Sequence, residues 1–140
     1  MTTLWLLIPL LAGTLAADPM PFAGTWEGKL YGQPSVELVL RPDGNIVTGT
    51  ITFYLAHREN ENAPWKVAGK TTLPLLKPKL DGGRLSFEVR HAKKHGSSEM
   101  GPNVRFRVEL RGSNGLSLFR LDEGAGTESM GGGMPLARRY

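Results

Sequence analysis

The chain contains no cysteine. That excludes disulfides, a thiolate nucleophile, thiolate zinc sites and a lipid anchor on an N-terminal cysteine. A secreted domain of this composition has to be held together by its core alone. Long hydrophobic runs are missing too. The longest apolar stretch, Leu4 to Leu15, is interrupted by Pro9 and is too short to span a membrane. No segment repeats its apolar residues at helical spacing, so no amphipathic helix is expected. Strong charge is also absent. A formal net charge of +4 favours acidic surfaces or anionic ligands, but it is too small to argue for nucleic acid.

The first residues read as an address rather than as structure. Residues 1–17 carry the apolar run and end in Ala16-Ala17, with Thr14 three residues before a cut after Ala16. This is the form of a secretory signal peptide, although its only positive charge is the amine of Met1. The expectation is a single domain over residues 18–140, starting at Asp18 or one residue earlier, in a secreted or periplasmic protein. The other reading, a buried N-terminal strand, lacks the alternation that a strand needs.

What the chain has in quantity is period-two patterning. Val36, Leu38 and Leu40 alternate before Pro42-Asp43-Gly44-Asn45, and Val47, Ile51 and Phe53 alternate after it. That is a β-hairpin with one buried face. The pattern recurs in Trp26, Gly28 and Leu30, and in Trp65, Val67 and Gly69. It recurs again in Leu85, Phe87, Val89 and His91, and in Val104, Phe106, Val108 and Leu110. Pro74 and Pro78 mark the segment from Leu73 to Leu80 as an edge or broken strand, since proline donates nothing to a ladder. Two long polar loops are expected, Ala56 to Pro64 and Lys93 to Pro102, and a glycine-rich one at Gly124 to Gly133. Eight or nine short strands with one apolar face each predict an all-β fold, a sheet closed on itself or folded into a sandwich. Closure leaves no edges to aggregate, so the expectation is an antiparallel up-and-down β-barrel of about eight strands.

Gly24-Thr25-Trp26, opening the first strand, resembles the Gly-x-Trp signature of the calycin superfamily, the lipocalin-like and avidin-like β-barrels. Thr48-Gly49-Thr50, after the turn at Asp43-Gly44, extends the likeness to the avidin-like pattern. The resemblance implies that Trp26 closes one end of a barrel beneath a basic residue from near the chain's end, Arg138 or Arg139. Biotin binding does not carry over, because the matching polar positions fall on Gly28, on or near Gly32, and on Ile51. The chain as a whole also resembles small secreted bacterial Gly-x-Trp barrels, a likeness that implies no activity.

No catalytic constellation stands out. His91 and His95 are four apart, which suits zinc only on a helix, and this segment leaves a strand, where such residues lie about 13 Å apart. Two lysines between them oppose a cation, so no metal and no cofactor are expected. Glu27, Glu37, Glu88 and Glu109 all fall on polar strand faces, where they would pair with Lys and Arg. Ser97 and Ser98 have no acid placed to orient a triad, and Gly131-Gly132-Gly133 lacks the Lys-Ser and helix of a phosphate loop. The basic stripe Arg84, Arg90, Arg105, Arg107 and Arg111 has no exposed aromatics interleaved for base stacking.

The expected function is therefore non-catalytic: binding a small apolar or amphipathic molecule, an anionic one included, at the barrel mouth. Tyr31, Tyr54, Trp65 and His91 are the candidate ligand-binding residues, each ending or beginning a strand. The alternative is an interaction protein using the basic outer face and the long loops, and the third reading is a hydrolase built on His91. An eight-stranded barrel is either filled by its side chains or open to one small ligand, and the first two readings divide on that point.

Overall fold

A computed structural model describes residues 18–92, 98–121 and 133–140. The expected signal peptide, His95, Ser97 and most of the glycine-rich loop lie outside the described residues. A short 3-10 turn, Met20–Phe22, leads into β1 (Gly24–Leu30), β2 (Gln33–Asp43), β3 (Ile46–His57) and β4 (Lys66–Pro74). Then follow β5 (Leu76–Asp81), β6 (Arg84–Ala92), β7 (Met100–Arg111), β8 (Gly115–Leu121) and β9 (Met134–Arg139). All nine belong to one antiparallel sheet in the order β4-β3-β2-β1-β9-β8-β7-β6-β5.

The apolar alternation becomes the inner face. Val36, Leu38 and Leu40 of β2, Val47 and Ile51 of β3, and Leu85, Phe87 and Val89 of β6 are buried. Trp26, Val108, Leu116, Leu118 and Leu136 join them in a single core. Tight turns keep successive strands paired. Leu30 faces Gln33, so Tyr31 and Gly32 alone make the first turn, and both have positive φ (54° and 73°). A two-residue hairpin turn with both residues in the left-handed region matches the twist of its strands. The turn between β7 and β8 has its positive φ, 67°, at Gly112.

The expected closed barrel of about eight strands needs correction. Among the described residues there are nine strands, and no ladder closes the sheet between its edges, β4 and β5. Both edges hold the prolines, Pro74 ending β4 and Pro78 within β5, as the sequence predicts for an edge or broken strand. β4 is antiparallel to β3 and β5 is antiparallel to β6. Following the alternation of direction through the sheet, β4 and β5 run the same way, separated only by Leu75. Residues 66–81 therefore act as one bent strand, paired to β3 in its first part and to β6 in its second. Leu75 marks the crossover: its side chain is buried, and its N–H donates to the Gly49 carbonyl at 3.0 Å. The sheet curls, β5 touching β3 and β4 touching β6, with a seam where no ladder forms.

Candidate functional site

The end of the curled sheet that holds Trp26 is solid. Trp26 is fully buried, and its indole Nε1 donates to the Phe22 carbonyl at 2.9 Å. Strand register places Arg138 directly opposite Trp26. The Arg138 guanidinium lies 4.2 Å from the indole centroid and donates to the carbonyls of Ala23 and Pro21. Gly24 makes room for it: a Cβ there would meet Arg138 Nη1 at 2.7 Å. Arg139, one residue on, points to the opposite face and pairs with Glu37 at 2.7 Å. Of the two arginines with a claim on the indole, Arg138 covers it.

The opposite end carries the candidate binding residues, and they fall in two groups. Tyr31 stacks on Trp65, ring centroids 4.9 Å apart and 12° from parallel, with the Arg58 guanidinium 4.6 Å from the Trp65 ring. Tyr31 itself is largely exposed. Tyr54 and His91 belong to the second group, a cleft of about 230 Å³ at the seam. Phe53, Tyr54 and Leu55 of β3, Ala68 to Thr71 of β4 and His91 of β6 line it. β6 pairs with β5 only as far as Glu88, and β4 pairs only with β3, so His91 faces the seam without a strand between. At Gly69 an added Cβ would meet nothing within 4 Å. The cleft is open space at that point.

An aromatic run joins the cleft to the core. The His91 ring lies 5.2 Å from Phe53, Phe53 lies 5.8 Å from Phe106, and Phe106 lies 5.7 Å from Phe87. Burial holds the His91 imidazole below its ordinary pKa, and the positive charge of Arg120 on β8 adds to the effect. Its neutral form is therefore favoured, a ring able to donate from one nitrogen and accept at the other. Sequence alone does not single out Phe53, Gly69 or Arg120 as site residues. The alternation puts Phe53 and Gly69 on inner faces, but only the curl brings β3 against β6.

A larger hollow, about 630 Å³, lies along β1 and β9, lined by Glu27, Lys29 and residues 135–139. It is the weaker candidate despite its size, because its arginines already have partners: Arg139 holds Glu37, and Arg138 holds backbone carbonyls. Three arginines of the basic outer face, Arg84, Arg107 and Arg111, are likewise partnered. Glu109 is shared by Arg84, Arg107 and Arg111 at 3.3, 3.1 and 3.3 Å, and Lys77 reaches Glu88 at 3.5 Å. Arg107 also covers Phe119, 4.9 Å from its ring. Among the described residues no group of three His, Cys, Asp or Glu could hold a metal ion, and no helix is long and apolar enough to cross a membrane. Compared with known proteins, the chain matches no family model, no curated protein and no solved structure.

Proposed function

We propose that this chain is a non-catalytic, secreted or periplasmic protein, an opened variant of the lipocalin-like Gly-x-Trp barrel, that holds a small apolar or amphipathic molecule in the seam cleft. The cleft carries the reading. It is a concave site with an apolar floor at Phe53 and a few polar tips at Tyr54, Thr71 and His91, the usual make-up of a small-ligand site. Trp26 beneath Arg138 supports the likeness to that fold, since the register pairs the two residues that the resemblance implies. The volume, about 230 Å³, is below the ~300–1,000 Å³ of common ligand pockets, and so suits a small molecule rather than a long acyl chain.

Native mass spectrometry of gently purified protein, with calorimetric titration of short fatty acids and aromatic anions, tests the reading. Gly69→Leu is the control, because a Cβ there would meet nothing within 4 Å and Gly69 lines the cleft that the longer side chain would fill. Binding lost in this variant, with the urea midpoint kept, supports the cleft. If no probe binds below about millimolar, a level worth only ~4 kcal/mol, the ligand reading fails and the interaction surface takes its place.

A further inference from the structure

The charges around the cleft narrow what it accepts. Its lining holds His91 and Lys70 and, among the described residues, no carboxylate. Among the described residues, the titratable and charged groups around His91 are Tyr54 on β3, Lys70 on β4 and Arg120 on β8. β7 presents Val104 and Phe106 on its inner face, with no charge. Arg120 sits opposite Phe106 in the β7–β8 register and acts on His91 electrostatically. A cation entering this space would meet like charge and no counter-ion. A neutral apolar molecule would leave His91 and the Thr71 hydroxyl without new partners. An anion gains from both.

The apolar part of the site has its own shape. Phe53 forms the inner end, its ring tilted 46° to His91 and 37° to Phe106, and Leu55 continues the wall outward. A flat body packs against such rings at little entropic cost, whereas a flexible chain must be ordered. Resting on the ligand-binding reading above, we infer that the seam cleft takes a small flat carboxylic acid in its ionised form, ring against Phe53 and Leu55, carboxylate toward His91. An ionised carboxylate beside an imidazole favours the protonated ring, so binding takes up a proton at His91. Affinity then rises as pH falls through the histidine range while the acid itself stays ionised.

The test uses 1-naphthoate and its neutral isostere 1-naphthamide, titrated by calorimetry into the protein at pH 5.5 and 8.0. Naphthoate should bind more tightly than naphthamide. It should also bind severalfold more tightly at pH 5.5 than at 8.0, because a roughly tenfold rise in the affinity of the imidazole for its proton is only partly expressed between these two pH values. In His91→Gln the naphthoate affinity should lose its pH dependence, and in Gly69→Leu both compounds should lose their binding. Equal affinity for the two compounds, or naphthoate binding that ignores pH, overturns the anion inference and leaves the cleft as a ligand site. Failure of both compounds to bind at millimolar concentration overturns the site itself.

Discussion

Trp26 shows how one residue's surroundings can be derived from its neighbours in register. A buried indole needs a partner for its N–H and a surface for its face, and Phe22 and Arg138 supply these. Trp26→Ala should lower stability by about 3–5 kcal/mol, the usual cost of truncating a buried aromatic, read as a fall in urea midpoint. Gly24→Ala should cost about 2 kcal/mol by two routes: its φ of 130° is strained for any side chain, and the new Cβ would displace Arg138. In an Arg138→Met background the second route disappears, so a double-mutant cycle in urea should show the two changes to be less than additive. His91 governs a pH dependence. Its pKa is lowered from 6.5 in the folded chain, so the unfolded chain binds that proton more readily. Stability is then full above about pH 6.5 and is lost as pH falls below it toward the lowered folded value. His91→Gln should shrink the drop in urea midpoint between pH 7.5 and 5.5.

At the scale of strands, the edges and the centre of the sheet differ in kind. β1 and β9 join the two halves of the sheet and are flanked on both sides, whereas β4 and β5 each leave one row of backbone groups without a ladder partner. Amides on the free side of β4 should therefore exchange in native-state hydrogen exchange faster than those of β1 and β2. Equal protection in β4 and β2 would mean that the seam is closed by a ladder after all. The packing between β1 and β9 is tight at Gly28, where a Cβ would meet Leu136 Cδ2 at 2.6 Å and Met134 Cε at 2.8 Å. Those are ends of flexible side chains, so Gly28→Ala should cost only about 1–2 kcal/mol. Gly49 is harsher. A Cβ there would lie 1.8 Å from the Val39 carbonyl oxygen, a backbone atom that cannot turn aside, and Gly49→Ala should cost about 3 kcal/mol or more. Glycine in the Thr48-Gly49-Thr50 stretch thus has a packing reason independent of any resemblance.

For the whole molecule, the legible parts are those fixed by local chemistry. Alternation identifies the buried faces of β2, β3, β6 and β7, because a half-buried strand must repeat its apolar residues every second position. Pro74 and Pro78, close together in one segment, mark the strands that become the sheet's edges, because a residue without N–H leaves a gap in a ladder. The lack of cysteine means that no disulfide holds the fold. Other features depend on how distant strands meet. Arg138 and Arg139 are neighbours in sequence with equal claim to Trp26, and only the pairing of β9 with β1 sends one inward and the other to Glu37. Tyr31, Tyr54 and Trp65, expected around one entrance, separate: Tyr31 stacks on Trp65, while Tyr54 lines a cleft with His91. Their division follows from where residues 66–81 cross from β3 to β6, a crossover that pattern along the chain cannot place. The cleft exists because that crossover leaves no ladder between β4 and the end of β6, with Phe53 and His91 facing across the gap. Which face each residue takes is a local property of an extended backbone, and sequence determines it. Which faces meet is decided by the register and curl of the sheet, set by the summed packing of all nine strands.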